Sequence, residues 1–169
     1  TKFSFTNKAI IITGGTGGIG SCLVNEFKEL DAFIIATGTS HKEVDQLNMN
    51  CSDNNIEYCQ LDYTSEKSIE KFLNRINKEK SIDVLINNAG VNKINSINNV
   101  SVDDWDMINN INLRGVFLLT RAISDIMIRQ EYGKIVNIAS IFGVVTKEKR
   151  SAYSASKWGI IGFTKAVAL

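Results

Sequence analysis

Two residues near the end of the chain have the types and the spacing for acid–base chemistry. Tyr153 and Lys157, in the segment YSASK, are four residues apart, so on a helix their side chains are neighbours on one face. A phenol with its ordinary pKa near 10 is a poor base at neutral pH, but an adjacent ammonium favours the phenolate. The pair therefore predicts a group for proton transfer. The competing interpretation is a solvated tyrosine and lysine on a helix surface.

A second candidate is the glycine-rich segment TGGTGGIG at residues 13–20, which directly follows the apolar run AIII. A strand, a glycine-rich turn and a helix form a binding site for a nucleotide diphosphate, because bare backbone and unpaired N–H groups approach the phosphates. Two spacings fit the segment. Gly14, Gly18 and Gly20 match TGxxxGxG, whereas Gly14, Gly17 and Gly20 match TGxxGxxG. Glycines that serve an ordinary tight turn are the alternative.

The elements that position these residues alternate along the chain. Short runs rich in Ile and Val predict strands over residues 9–13, 33–37, 56–61, 82–87 and 134–139. Helical spacing predicts helices over residues 19–30, with Ile19, Leu23 and Phe27 on one stripe, and over 65–80, 101–129 and 151–169. Strands that alternate with helices in this way imply crossovers and a parallel sheet. We expect one α/β domain over residues 1–169.

Further motifs make the chain resemble the short-chain dehydrogenase/reductase family in its compact, single-domain branch. They are Asp62 after the third strand, NNAG at 87–90, INLRG at 111–115, IVNIAS at 135–140 and YSASK at 153–157. The step of thirteen residues from Ser140 to Tyr153 is typical of that branch. The resemblance implies a Rossmann-type doubly wound parallel sheet. Because the family continues beyond the helix that carries YxxxK, it also implies a chain that is incomplete at its C-terminus.

The same resemblance implies a role for individual residues. Tyr153 would be the acid in carbonyl reduction and the base in alcohol oxidation, and Lys157 would hold the nicotinamide ribose and tune Tyr153. Ser140 would hydrogen-bond the carbonyl oxygen, and Asn112 would hold a water in a proton relay to the lysine. The implied cofactor contacts are Gly14, Thr16, Gly18, Ile19, Gly20, Thr39, Asp62, Tyr63, Asn88, Ala89 and Gly90, together with Tyr153 and Lys157.

The end of the second predicted strand bears on the choice of cofactor. A carboxylate there would bind the ribose hydroxyls of NAD and repel the extra phosphate of NADP. This chain has Gly38 where NAD-preferring relatives carry an acid, and residues 39–42 (TSHK) offer donors and positive charge. NADP(H) is therefore favoured, with NAD(H) as the alternative. Many NADP-specific relatives also carry a basic residue at the position of Gly17, which this chain lacks.

The composition of the chain restricts the classes of partner that the protein is expected to bind. Nineteen basic and eighteen acidic residues give a net charge of +1, so no overall field attracts nucleic acid or an anionic membrane. No apolar run approaches the roughly 20 residues of a membrane span, and the N-terminus lacks a signal-peptide core, so we expect a cytoplasmic protein. A single histidine, His41, and three cysteines without CxxC spacing predict no metal site.

The INL, YSASK and GIIGFTK segments are similar to those of 3-oxoacyl-acyl-carrier-protein reductases, enzymes of fatty acid biosynthesis. The first hypothesis is therefore reduction of a carrier-bound or small-molecule carbonyl. Two alternatives stay open: a nucleotide-binding or interaction module without turnover, and an extended-branch sugar-nucleotide epimerase or dehydratase, which only Gly17 supports. Family resemblance also implies a homodimer or homotetramer through apolar residues of the last two helices, namely Val116, Phe117, Leu119, Trp158, Ile161 and Phe163.

Overall fold

The apolar runs of the sequence form one five-stranded sheet in a computed structural model, which describes residues 3–169. The strands are β1 (Ala9–Ile12), β2 (Phe33–Gly38), β3 (Ile56–Gln60), β4 (Val84–Asn87) and β5 (Lys134–Asn137). Their order in the sheet is β3, β2, β1, β4, β5, and β1 pairs in parallel with both β2 and β4. Strands β2 and β3 thus lie on one side of β1, and β4 and β5 lie on the other side. The predicted Rossmann-type doubly wound sheet is confirmed.

The central strands are buried on both faces, as their continuous apolar runs predict. Ile11 and Ile35 are fully buried and lie opposite each other in the β1–β2 pair, and Leu85 is the buried partner of Ile11 on β4. Such β-branched runs suit a strand that has no solvent-facing side. The sheet therefore holds β1 rigidly, and β1 leads directly into the glycine-rich segment.

The described residues divide into two units, and the first contains the chain up to Ala89 together with Leu119–Val136. Its helices include α1 (Gly18–Lys28), α2 (His41–Asn50) and α3 (Glu66–Ile76). The sequence did not predict α2, because only Val44 of this polar helix is buried and its apolar pattern is weak. The predicted stripe of α1 is also displaced: Val24 is buried, whereas Ile19 is 63% exposed.

The second unit contains Gly90–Leu118 and Asn137–Leu169. Its main helices are α4 (Val102–Asn109), the beginning of α5 (Gly115–Arg129) and α6 (Ser151–Val167). The continuous helix predicted over residues 101–129 is interrupted, because Asn110–Arg114 between α4 and α5 is π-helical. A π-helical turn inside a longer helix is rare and is frequent at functional sites. This turn carries Asn112.

Candidate active site

The glycine-rich turn between β1 and α1 has two glycines in the left-handed region, Gly14 at φ +65° and Gly18 at φ +54°. A Cβ at Gly20 would lie 2.0 Å from the carbonyl oxygen of Gly14, so no other residue fits there. Gly17 differs, because its φ of −158° is extended and nothing lies within 4 Å of a Cβ at this position. The geometry therefore requires glycine at 14, 18 and 20, which is the TGxxxGxG spacing.

The residues after β4 pack against this turn. The Asn88 side-chain amide donates to the carbonyl oxygens of Thr13 and Gly14 at 2.9 and 3.3 Å. The backbone N–H groups of Asn88 and Ala89 both donate to the Thr13 hydroxyl oxygen, at 3.0 and 2.9 Å. The ends of β1 and β4 are thereby fixed to each other at the point where the strand order reverses, which is where α/β sheets bind nucleotides. Gly90, the next predicted contact, is exposed and belongs to the second unit.

The first turn of α1 is open to an anionic ligand. Its N-cap residue is Gly17, so no side chain caps the helix, and the first turn contains no acidic residue. Unpaired N–H groups at a helix N-terminus attract phosphate. Ile19 is a large apolar side chain exposed on this turn. The turn therefore offers bare backbone, an uncapped helix end at Gly17 and a close-packed glycine at Gly20. These features fit the diphosphate of a dinucleotide.

At the end of β2, the buried Gly38 has no room for a side chain, because a Cβ there would lie 2.4 Å from Thr16 Cγ2. The next residue, Thr39, is exposed, and its carbonyl accepts a 3.1 Å hydrogen bond from the Gln60 side chain of β3. Ser40 caps α2 by accepting from the N–H of Glu43. The backbone of Thr39 is therefore held against β3, and neither Thr39 nor Ser40 carries a carboxylate.

The two predicted contacts after β3 are both engaged within the first unit. The Asp62 carboxylate accepts from the N–H and the hydroxyl of Thr64, at 2.8 and 2.7 Å. The Tyr63 ring is only 5% exposed, and burial raises the pKa of its phenol well above the usual value. The side chain of Tyr63 is therefore a core residue, and only its backbone is left to serve a ligand.

In the second unit, α6 places Tyr153 and Lys157 on one face, as their spacing predicts. The Lys157 ammonium is 5.7 Å from the centre of the Tyr153 ring and donates a 2.7 Å hydrogen bond to the carbonyl of Ile138. Lys157 is only 4% exposed, and this burial lowers the pKa of its ammonium. Burying a cation beside a neutral carbonyl costs free energy of folding. Buried charges of this kind are typical of functional sites.

Ser140 follows β5 and caps a short 3₁₀ turn, Ile141–Gly143, by accepting the N–H of Phe142 at 3.2 Å. This bond uses a lone pair of the hydroxyl oxygen and leaves its hydrogen to donate to another acceptor. Gly143 packs onto α6, since a Cβ there would lie 2.9 Å from the Lys157 carbonyl oxygen. The turn thus holds Ser140 in a fixed position within the same unit as Tyr153 and Lys157.

Asn112, in the π-helical turn, is 1% exposed, and its side chain forms hydrogen bonds with Val91 and Ser156. Its side-chain oxygen accepts from the N–H of Val91 at 2.8 Å, and its amide donates to the Val91 carbonyl at 2.9 Å and to the Ser156 hydroxyl at 3.0 Å. Ser156 in turn donates to the Tyr153 carbonyl at 2.8 Å. Both amide hydrogens of Asn112 are therefore engaged with protein groups.

Comparison with known proteins shows the family of the chain. The family model for short chain dehydrogenases matches residues 8–169. The chain belongs to the short-chain dehydrogenase family. A curated relative, the 3-oxoacyl-[acyl-carrier-protein] reductase FabG of Rickettsia typhi, is 35% identical over 164 residues. The match includes 96% of this chain and 66% of that protein, so the chain spans about two thirds of the relative's length.

Solved short-chain dehydrogenases have the same fold. A short chain dehydrogenase from Bacillus anthracis superposes with a TM-score of 0.87 at 29% identity, and the match covers 98% of this chain and 70% of that one. A serine dehydrogenase whose closed form was solved with NADP+ gives a TM-score of 0.84 at 29% identity, over 94% of this chain and 64% of that one.

Sequence reasoning missed three side chains that contact the predicted site residues of their own unit. Gln60 donates to the Thr39 carbonyl, Ser156 accepts from Asn112 and donates to the Tyr153 carbonyl, and Phe142 contacts the Tyr153 ring edge to face. Only Ser156 has a sequence signal, because it lies one helical turn after Tyr153. Across residues 3–169, no cluster of His, Cys, Asp and Glu side chains is suited to a metal ion, and no helix is long and apolar enough to span a bilayer.

Proposed function

We propose that this protein is an NADP(H)-dependent oxidoreductase that interconverts a carbonyl and a secondary alcohol. The observation that carries the proposal is the buried Lys157 ammonium beside the Tyr153 ring. Folding would favour an apolar residue at such a position, so the cation is explained best by chemistry at the neighbouring phenol. The bound nicotinamide cofactor would supply or accept the hydride.

The residues of the second unit would then have distinct tasks. In reduction, Tyr153 donates its phenolic proton to the oxygen of the substrate, and in oxidation it takes that proton back. Lys157 keeps a positive charge next to the phenol and holds the nicotinamide ribose. Ser140 donates its hydroxyl hydrogen to the carbonyl oxygen and so orients the substrate. Asn112 supports Tyr153 through Ser156, and we propose that its π-helical turn serves the proton relay.

The first unit would bind the cofactor through the TGxxxGxG turn, Asn88 and Ala89, with Thr16 and Ile19 on its exposed side. The preference for NADP(H) over NAD(H) is supported at Gly38, because Thr16 occupies the space that an acidic side chain would need. Thr39 and the N-terminus of α2 would receive the extra phosphate instead. The NADP+ complex of the similar serine dehydrogenase is consistent with this preference.

We propose a 3-oxoacyl thioester on an acyl carrier protein as the substrate, since the FabG relatives support this class. The extended-branch alternative loses its support, because Gly17 has open space and an ordinary φ and so is not required as glycine. A module that binds nucleotide without turnover is the remaining alternative.

The test is the oxidation of NADPH by the full-length protein in the presence of 3-oxoacyl thioesters, with Tyr153→Phe as the control. We expect turnover with the wild type and a loss of about 10²–10⁴-fold in the variant, the usual contribution of a general acid. Cofactor binding without turnover of any carbonyl would support the binding module instead. A Tyr153→Phe variant that keeps half of the activity would contradict the assigned chemistry.

A further inference from the structure

Phe142 touches both residues to which we assign contact with the substrate oxygen. Its backbone N–H donates to the Ser140 hydroxyl at 3.2 Å. Its ring meets the Tyr153 ring edge to face, with centroids 6.2 Å apart and planes at 77°. Aromatic pairs prefer this arrangement, because the positive edge of one ring faces the negative face of the other. One residue therefore connects the serine to the tyrosine.

Arg150 contacts the ring of Phe142 as well. It is the N-cap residue of α6, three residues before Tyr153, and its guanidinium lies 5.5 Å from the centre of the Phe142 ring. A cation at this distance is attracted to a ring face. Arg150, Phe142 and Tyr153 thus form a chain of contacts inside the second unit.

The backbone around Phe142 is fixed as well. The N–H of Gly143 donates to the Ser140 carbonyl at 2.9 Å, and a Cβ at Gly143 would lie 2.7 Å from Ile161 Cδ1. The 3₁₀ turn therefore packs on α6 without a gap. A turn held in this way fixes the backbone from which the Phe142 ring extends toward Tyr153.

We propose that Phe142 and Arg150 are positioning residues that set the orientation of the Tyr153 phenol relative to the Ser140 hydroxyl. The phenol hydroxyl lies at the far end of the ring, so a small rotation of the ring moves it by a large distance. Phe142 limits this rotation from one side, and Arg150 keeps Phe142 in place. The inference rests on the proposed roles of Ser140 and Tyr153, and neither positioning residue contacts the reacting atoms.

Steady-state kinetics of the full-length protein test the effect on turnover. Phe142→Ala should lower kcat by about 10- to 100-fold, the usual effect of a misplaced catalytic group, while KM for NADPH changes little. Phe142→Tyr keeps the ring and should restore most of kcat. Arg150→Met should lower kcat less than Phe142→Ala. Equal kcat values for wild type and Phe142→Ala would overturn the proposal.

Two matched variants separate positioning from general loss of stability or charge. Phe5→Ala removes a different edge-to-face pair, the one with Phe27 in the first unit, where the ring centroids are 5.0 Å apart. Lys147→Met removes a positive charge from the same exposed loop as Arg150. Both should leave kcat unchanged. A loss of kcat in Phe5→Ala as large as in Phe142→Ala would show that packing alone is responsible and would overturn the proposal.

Nitration by tetranitromethane, followed by mass spectrometry of the tyrosine peptides, tests the contact without any turnover. Tyr132 is exposed and serves as the internal reference. Phe142→Ala should raise the rate of Tyr153 nitration relative to Tyr132, and Phe142→Tyr should not. An unchanged ratio in Phe142→Ala would overturn the positioning role. A raised ratio in a protein that reduces no carbonyl would instead contradict the proposed function and leave the contact supported.

Discussion

The Asn112 amide donates to the Ser156 hydroxyl at 3.0 Å, and that hydroxyl donates to the Tyr153 carbonyl at 2.8 Å. The same amide group pairs with both backbone groups of Val91, so Asn112 links the segment after β4 to α6 within the second unit. A π-helical turn is an unfavourable backbone geometry. The connections of Asn112 explain how this one is held.

We predict that Asn112→Ala destabilises the protein strongly. The substitution removes the side-chain partners of the partly buried N–H and carbonyl of Val91, and a group left unsatisfied away from water costs about 1–3 kcal/mol. Denaturant unfolding measures the change in the free energy of unfolding. Asn109→Ala is the matched control on α4, because the Asn109 amide donates to the carbonyl of Trp105 one turn earlier in its own helix. A small effect of Asn112→Ala, equal to that of Asn109→Ala, would contradict the structural role.

The glycine-rich turn gives a second prediction. Gly20→Ala should abolish cofactor binding and destabilise the protein, because its Cβ would lie 2.0 Å from the Gly14 carbonyl oxygen. Gly17→Ala should leave both properties nearly unchanged, since its Cβ meets open space. Calorimetric titration with NADPH and thermal unfolding measure the two effects. Equal sensitivity of the two glycines would contradict the TGxxxGxG assignment.

The sequence predicted the sheet well, because buried parallel strands are continuous apolar runs that only a few topologies accommodate. The glycine-rich segment alone could not choose between Gly17 and Gly18, because both residues are glycine, and the prediction of Gly18 came from the resemblance to the compact branch. Sequence reasoning missed α2, whose helix is stabilised by Ser40 at its N-cap and buries only Val44.

The π-helical turn was also beyond sequence reasoning. Nothing in the spacing of residues 110–114 marks the change of register, and Asn112 within this turn forms hydrogen bonds with Val91, 21 residues earlier in the chain. The contact of Phe142 with Tyr153 also depends on the folded chain, because the two residues lie in different elements. Residue types and spacing led to the prediction of Tyr153 and Lys157, whereas the contacts around them could be described only from the folded chain.

A third prediction concerns the cofactor. Gly38→Asp alone should weaken the binding of both NADPH and NADH, because its Cβ would lie 2.4 Å from Thr16 Cγ2. Gly38→Asp combined with Thr16→Ala removes that obstruction and should bind NADH better than NADPH, since the carboxylate repels the extra phosphate. We expect a shift in the ratio of the two dissociation constants of at least about tenfold, equivalent to about 1.4 kcal/mol.

Thr16→Ala alone is the control for this experiment and should keep the wild-type order of affinities. Fluorescence titration with NADPH and NADH gives both constants for each variant. A wild type that binds NADH as tightly as NADPH would contradict the proposed preference. A double variant that still favours NADPH would contradict the position assigned to residue 38.

A fourth prediction concerns assembly. Of the residues expected to form a subunit interface, Val116 and Leu119 are buried, whereas Trp158 on α6 is 53% exposed and Phe117 on α5 is 43% exposed. The Phe117 and Phe163 rings form an edge-to-face pair with centroids 6.4 Å apart. We predict that the full-length protein is a homodimer or homotetramer that buries these aromatic side chains, because such residues dominate interfaces.

Light scattering should then give a multimeric mass for the wild type and a smaller mass for Trp158→Arg, because the interface would have to bury an unpaired charge. Met49→Arg places the same charge on α2, where Met49 is exposed, and should not change the mass. A monomeric wild type would contradict the predicted assembly, and a Trp158→Arg variant with the same mass as the wild type would contradict this interface.

The buried Lys157 ammonium gives a prediction about pH. Burial lowers the pKa of Lys157 in the folded protein from its usual value of 10.5. Below the folded-state pKa both the folded and the unfolded chain carry the proton, so the full penalty of the buried charge applies. As pH rises towards 10.5, the folded protein releases this proton before the unfolded chain does, and the penalty decreases.

The free energy of unfolding of the wild type should therefore rise relative to that of Lys157→Met as pH increases from 7 to about 10. Urea unfolding of both proteins across this range measures the difference, in which groups that titrate alike in the two proteins cancel. Lys157→Met should also lose turnover at every pH, because the cation beside Tyr153 is gone. A difference that stays constant, or that changes in the opposite sense, would show that burial does not penalise the ammonium. The main support for a catalytic Lys157 would then be lost.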